Sequence, residues 1–350
     1  MTSGPSVRRA AAARRSSLAD VAALAGVSKG TVSHVLNHPE RVAEATRQRV
    51  ESAIAELSFV PHGTARSLAV GTMPAVGLVL SDVANSLFVE MLRGVERIVE
   101  ERNGYVLIAN SYTDLDRERR YLGMFEAVHT LGALVSINNA AHYESLAANH
   151  RGERPLVFLD YRNLDDRYCS VHADNRAGGA IAARHLVGLG RRRLAVVSPP
   201  HELQPVAERL AGFEEVVDAS DASIVARVSV ENVHRADGWR VGRELLPRIE
   251  AGDIDGIFAV ADLAAAGLLQ AVSASGTVDV PGDVAIVGYD DNQEAWDSPI
   301  PLTTVRQPGE DMGARGAELL FEEINDPSHE HRVVGLAPSL IVRQSTVGTA

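Results

Sequence analysis

The sequence is short of several things, and each shortage narrows what the chain can be. It holds one cysteine, Cys169, which excludes an internal disulfide framework and a zinc cluster built from cysteines. Aromatic residues make up only 5%. No apolar run reaches the roughly 18 residues that a membrane span needs. No phosphate-cradling G-x-x-x-x-G-K is present, and Gly188-Leu189-Gly190 runs into three arginines instead of a dinucleotide fingerprint. Arg8, Arg9, Arg14 and Arg15 open the chain, and Asp20 interrupts the apolar stretch after them, so no secretory signal is expected and the cytoplasm is the expected location. There remain 350 residues, 45% apolar and 23% charged. That is enough apolar mass for two or three soluble domains.

The net charge of −12 taken alone argues against a nucleic-acid partner. Its distribution does not. Residues 1–70 carry nine basic and five acidic side chains, a balance of +4, which leaves −16 for the remainder. A basic head on an acidic body implies that only the head meets a polyanion.

The head has its own punctuation. Ser17 and Asp20 form an acidic variant of a capping box before a first helix, with Val21, Leu24 and Ala25 expected on its inner face. Gly26 ends that helix and Ser28 caps a second, whose inner stripe is Val32, Val35 and Leu36. The outward positions are then Lys29, Gly30, Thr31, Ser33, His34 and Asn37, a short-chained face without acids that suits entry into a major groove. A third helix is expected over 44–57. Two short helices around a glycine turn, followed by a third, make a helix-turn-helix over 17–61, preceded by a disordered basic tail at 1–16. Pro61 closes the unit, and 62–72 reads as a linker too short to be helical unless something packs on it.

Asp20-Val21-Ala22, Gly26-Val27-Ser28-Lys29-Gly30-Thr31-Val32-Ser33, Leu36-Asn37 and Ala65-Arg66-Ser67-Leu68 stand at spacings that resemble the lactose/galactose repressor (LacI/GalR) family, and the resemblance continues to Val342-Arg343-Gln344-Ser345-Thr346. It implies DNA contacts from Ser17, Leu18, Ser28, Lys29, Gly30, Thr31, Ser33, His34, Asn37, Arg41 and Thr46. It also implies a hinge helix in which Ala65, Arg66 and Leu68 enter the minor groove, Leu68 as an apolar wedge in a pseudo-palindromic operator. Two residues depart from the family pattern. His34 stands where arginine is usual, so an altered half-site preference is expected, and His62 stands where asparagine usually begins the hinge.

From Pro74 the period changes. Apolar runs at 75–80, 105–109, 133–137 and 156–159 alternate with helical segments at 88–101, 115–130 and 142–149. A second series has runs at 194–198, 256–260 and 284–288 among helices at 176–189, 205–219, 236–250 and 262–275. The fold class expected is α/β, an all-α head on a body of two parallel-sheet subdomains with a ligand cleft beyond the strand ends. The resemblance implies the same, a periplasmic-binding-protein-like body over 73–350, divided into 73–172 with 309–337 and 173–308 with 338–347.

Ser81, Asp82, Asp160, Asp262 and the pair Asp290-Asp291 come directly after predicted strands. Arg209 is placed to donate to the same ligand, and Trp239 to stack on a sugar face. The resemblance assigns effector contacts to Asp160, Arg209, Trp239, Asp262, Asp290 and Gln307, with Phe88 at the cleft mouth. Ala261 replaces the family's usual asparagine, and Ser86-Leu87-Phe88 its usual proline-phenylalanine pair.

Enzyme readings fare worse. Gly26-Val27-Ser28-Lys29-Gly30 spells G-x-S-x-G, but a nucleophile elbow needs a preceding strand. Cys169 and His172, three apart in a short strand, face opposite sides. His329-Glu330-His331 offers two metal ligands without a third, so no metal and no cofactor are expected. The sequence thus predicts a non-catalytic, ligand-controlled transcriptional regulator. It is expected to be a repressor with double-stranded DNA and a small-molecule effector, a carbohydrate, as partners; the resemblance implies a homodimer, because the family carries an extra terminal helix only in its tetrameric members and only Val347–Ala350 lie beyond the last matched residues. A small-molecule-binding protein with altered DNA readout, or a corepressor-dependent regulator of nucleobase genes, is the competing reading.

Overall fold

A computed structural model describes residues 16–37, 39–57, 59, 74–150, 154–199, 203–231, 233–326 and 328–348. The chain divides into two compact units, 1–73 and 74–350.

The head consists of α1 (Leu18–Ala25), α2 (Lys29–Asn37), a 3-10 turn at Pro39–Arg41, and α3 (Glu44–Glu56). The Ser17 backbone amide donates to the Asp20 carboxylate at 2.8 Å while the Asp20 amide donates to Ser17 Oγ, which closes the capping box. Gly26 takes the left-handed conformation, φ 63°, and Ser28 Oγ accepts from the Thr31 amide at 3.0 Å. Val21, Ala22, Ala25, Val32, Val35, Val50, Ala53 and Phe59 form the core. Leu24 departs from the expected inner face and is 46% exposed. The stripe that packs runs through Leu18, Val21, Ala22 and Ala25; Leu24, one residue before Ala25, then lies over 100° away from its centre.

The body is built of two six-stranded sheets. The first lobe holds β1 (Ala75–Leu80), α4 (Ser86–Glu100), β2 (Tyr105–Asn110), α5 (Leu115–Ala127), β3 (Gly132–Ser136), α6 (Ala140–Asn149), β4 (Leu156–Leu159) and β5 (Cys169–Ala173). The second holds α7 (Asn175–Gly188), β6 (Arg193–Ser198), α8 (Gln204–Asp218), β7 (Ser223–Ser229), α9 (Arg235–Glu250), β8 (Gly256–Ala259), α10 (Asp262–Ser275), β9 (Ala285–Asp290), α11 (Gln293–Asp297) and β10 (Thr303–Arg306). The chain then returns to the first lobe with α12 (Gly309–Asn325) and β11 (Val333–Leu336), and ends in the second with β12 (Ser339–Ile341) and α13 (Gln344–Val347).

The strand orders are β11-β5-β4-β3-β1-β2 and β12-β10-β9-β8-β6-β7. Every pair is parallel except β10–β12. Central strands such as β1, β3, β8 and β9 are buried along their whole length, as parallel strands covered on both faces must be, while β2 and β7 at the edges are half-open. In each sheet the order reverses beside the lobe's first strand, β1 or β6. A crevice opens at such a switch point, beyond the carboxyl ends of the strands.

Helices cover each sheet in close pairs. In α7 and α8, a Cβ added to Gly179 would lie 1.8 Å from the Arg209 carbonyl oxygen, and one added to Gly212 would lie 1.8 Å from that of Arg176. The pairs α4–α12, through Gly94 and Gly313, and α9–α10, through Gly238 and Gly267, repeat this reciprocal approach.

Candidate functional site

In the head, Lys29, Gly30 and His34 are exposed along one side of α2, with Thr31 and Ser33 half-buried beside them, while Val32 and Val35 point into the core. Ser28 and Arg41 are exposed, and Ser17, Leu18 and Thr46 half-buried; Leu18 also packs on the core. Lys29, the only lysine in the sequence, opens α2, so its charge sits at a helix N-terminus, where a phosphate would be held by backbone amides as well. Asn37 ends α2. The readings at Ala65, Arg66 and Leu68, and the tail at 1–15, lie outside the described residues.

In the body, a cavity of about 520 Å³ lies between the lobes. Its walls are the segments at strand ends: Ser81 and Asp82 after β1, Tyr112 and Thr113 after β2, Asn138 after β3, Asp160 after β4. Across the gap stand Pro199 after β6, Glu231, Val233 and His234 after β7, Val260 and Ala261 after β8, and Asp290 at the end of β9. Phe88 and Asn85 from the start of α4, and Leu203, Val206 and Arg209 from the start of α8, complete it. Tyr112, Thr113, Asp160 and Asp290 all have positive φ, between 54° and 109°. Such conformations are costly for non-glycine residues and gather where function demands them.

The floor is a buried charge cluster. Arg209, 6% exposed, donates through Nε to Asn175 Oδ1 at 2.8 Å and through Nη1 to the Val260 carbonyl at 2.7 Å; Nη1 also stands 3.5 Å from Asp290 Oδ1. Its guanidinium lies 3.8 Å from the Tyr289 ring centroid. Asp290 accepts from Gln307 Nε2 at 2.7 Å and, from the opposite lobe, Asn85 Nδ2 at 3.1 Å. Burial raises its pKa, opposed by Arg209 and by these two donors. Asp160 Oδ1 is buried with no hydrogen-bond partner, and burial pushes this carboxyl up to about 7 against the pull of Arg209. An unpartnered buried acceptor beside a fixed arginine fits a ligand that brings its own hydroxyl or N–H donors.

Ser81, Asp82, Phe88, Asp160, Arg209 and Asp290 thus converge on one cavity. Trp239, Asp262 and Gln307 do not line it. Asp262 is fully buried under the second sheet, where it accepts from the Asn292 amide at 3.1 Å and leaves no room for a side chain at Gly288. Gln307 is fully buried behind Asp290 and orients it. Trp239 sits on α9, half-buried, with its backbone against Gly267 of α10. Sequence reasoning missed Glu231, Val233 and His234 because it missed β7, where Arg227 breaks the short apolar run Ile224-Val225-Ala226. It missed Tyr112 and Thr113 although they too come just after a strand.

Of two weaker sequence readings, one stands and one changes. Cys169 does not meet His172, whose Nδ1 lies 2.9 Å from the Ala173 carbonyl. Its Sγ lies 3.1 Å from His329 Nε2 and 3.9 Å from His331 Nδ1. The third ligand that the His329-Glu330-His331 run lacked is supplied from β5, because β11, just after that run, pairs with β5 in parallel.

Known proteins resemble the chain along nearly its whole length. Residues 17–62 match the family model of bacterial regulatory proteins, lacI family, and residues 183–346 that of a periplasmic binding protein-like domain. The HTH-type transcriptional regulator CelR of Thermobifida fusca is 34% identical over 350 residues, 95% of this chain and 98% of that protein. The HTH-type transcriptional repressor PurR of Aliivibrio fischeri (strain MJ11) is 30% identical over 94% of this chain and 97% of its own. Among solved structures, a CelR–cellobiose complex superposes with a TM-score of 0.68 at 32% identity, over 95% of this chain and 100% of that one. The lac repressor dimer bound to operator and the anti-inducer ONPF shares the fold, with a TM-score of 0.82 at 24% identity over 96% and 100%.

Proposed function

Because the chain belongs to the lacI family of bacterial regulatory proteins, sequence-specific DNA-binding regulators under small-molecule control, we propose that it is a cytoplasmic, homodimeric, non-catalytic repressor whose operator affinity is set by a carbohydrate in the cleft between its lobes. The observation that carries the ligand class is the cavity floor. Asp160 offers an unpartnered buried carboxylate oxygen, and Asp290 and Arg209 stand across from it. Carboxylates beside a guanidinium are the arrangement that binds vicinal hydroxyls, and Phe88 and Tyr112 supply ring surface for an apolar sugar face. The resemblance to a cellobiose complex supports the same class.

DNA is read by α2 through Lys29, Gly30, Thr31, Ser33, His34 and Asn37, with Ser17, Leu18, Ser28, Arg41 and Thr46 at the phosphates. Ala65, Arg66 and Leu68 enter the minor groove. The cleft then acts by coupling. A sugar that favours one angle between the lobes shifts the population of the state whose paired hinges hold DNA, and couplings of this kind amount to about 1–3 kcal/mol, or 5–150-fold in affinity.

The test begins with selection of random duplex DNA by the purified full chain, which is expected to enrich a pseudo-palindrome. Anisotropy titrations on that operator against mono- and disaccharides come next. A shift of five-fold or more with one sugar class supports the reading; unchanged operator affinity across the panel, with no sugar bound in calorimetry, overturns the carbohydrate assignment. Leu68→Ala is expected to lower operator affinity while leaving sugar binding intact; unaltered affinity removes the wedge.

A further inference from the structure

We propose that Cys169, His329 and His331, completed by Glu323, bind a divalent zinc-type cation in the first lobe, away from the cleft. The three side chains present one ligand atom each, all within 4.8 Å of one another. Glu323 Oε2 lies 3.9 Å from His331 Nδ1 and is buried without a hydrogen-bond partner. In a tetrahedral zinc site with sulfur at about 2.3 Å and nitrogen at about 2.0–2.1 Å, ligand atoms stand about 3.3–3.8 Å apart. The observed Sγ–Nε2, Sγ–Nδ1 and Nδ1–Oε2 separations are 3.1, 3.9 and 3.9 Å, and the two imidazole nitrogens lie within 4.8 Å of each other, so the ligand atoms must draw in by up to about an ångström.

The surroundings are those of a metal centre. Behind His329, whose Nε2 faces the sulfur, Nδ1 stands 3.9 Å from Glu322 Oε2, a carboxylate near enough to favour a cation but beyond hydrogen-bond distance, and one that pairs with Arg332. The Arg332 amide donates to Cys169 Sγ at 3.3 Å, which stabilises a thiolate. Cys169 is fully buried, and on metal binding its thiol gives up its proton to solvent. One sulfur, two imidazoles and one carboxylate are a borderline-soft set, which selects zinc over magnesium or calcium. A surface groove of about 720 Å³, lined by Arg102, Glu322, His329 and Arg332 among others, reaches the site at His329, the one of the four ligands that lines it. The bound ion would clamp β5 to the end of α12 and the approach to β11.

The experiment uses tag-free full-length protein stripped with chelator. Competition against a chromogenic chelator is expected to show one equivalent of zinc per chain. Cobalt(II) in its place is expected to give sulfur-to-cobalt charge-transfer absorption with d–d bands of tetrahedral intensity. Cys169→Ser should abolish the charge-transfer band, and His331→Ala should weaken binding at least ten-fold. His331→Ala alters a half-exposed residue and so keeps the test valid should Cys169→Ser misfold; retained operator binding by each variant confirms a folded chain. Absence of stoichiometric binding, a cobalt spectrum without the charge-transfer band, or zinc affinity indifferent to both His331→Ala and His329→Ala overturns the proposal.

Discussion

Asp160 carries the largest consequence of any single side chain. Its carboxyl has a pKa of about 7 in the folded state against 3.8 for an ordinary aspartate. Between those values the folded chain holds a proton that the unfolded chain has released. Its contribution is therefore most favourable at low pH and is lost as pH rises toward 7. Asp160→Asn is expected to remove that decline and to stabilise the body above pH 7 by roughly 1–3 kcal/mol, read as a flatter dependence of Tm on pH. Hydroxyl donors prefer the ionised form, so sugar affinity of the unaltered protein should climb through the same range and that of the variant should not. A parallel pH profile in the two proteins would show that Asp160 is not the group involved. The sequence allowed this residue to be singled out, because an acid directly after a parallel strand has few other places to go. It did not reveal that Asn85 reaches Asp290 from the other lobe, or that His329 meets Cys169, since those contacts join positions 205 and 160 residues apart.

At the scale of elements, strands with continuous apolar runs and helices with clear caps were readable to within three residues, while α12 was not read. The boundaries of β1, β4 and α10 coincide with the runs at 75–80, 156–159 and 262–275. Edge strand β7 and the short β10, β11 and β12 were not seen: Arg227 interrupts the first, and the others are three or four residues long, too short to stand out. The glycine pairs were invisible for a different reason. A glycine inside a helix reads as a weakness, and only the packed structure shows that Gly179 and Gly212 let α7 and α8 touch backbone to backbone, which sets where Arg209 starts. Gly179→Ala must push the helices apart, with an expected cost of about 2–3 kcal/mol in urea unfolding and weaker sugar binding, because the carbonyl it strikes belongs to Arg209 itself. Gly188→Ala in the same helix meets nothing within 4 Å and should be neutral or stabilising by up to about 1 kcal/mol. A Gly179→Ala variant as stable as Gly188→Ala would show that the close approach does not constrain the two helices.

At the scale of the whole body, the two lobes are tied on both sides of the cavity. On one side, Gln204 donates through its backbone amide to the Asn138 carbonyl at 2.8 Å, while its side chain exchanges two hydrogen bonds with the Arg162 backbone. The Arg162 guanidinium pairs with Glu208 at 2.8 Å. On the other side, Asn85 reaches Asp290. Arg162 is 46% exposed and Glu208 18%, so this ion pair contributes no more than about 1 kcal/mol, and each neutral hydrogen bond about as much. Gln204→Ala with Glu208→Gln should therefore shift the closure equilibrium by roughly 1–2 kcal/mol, about five- to thirty-fold. Neither residue hydrogen-bonds to Asp160, Arg209 or Asp290, and because the Glu208 charge adds to the rise at Asp160, affinities are compared well above pH 7, where Asp160 is ionised in both proteins. A ligand held by both lobes favours closure, so the double variant must lower its affinity. In the absence of ligand the same variant depletes the closed population. Its operator affinity must then move opposite to the direction in which the sugar moves that of the unaltered protein, whichever direction that is. Anisotropy with and without sugar on both proteins measures the two shifts. If the variant and the sugar moved operator affinity the same way, closure would not be the state that couples the cleft to DNA.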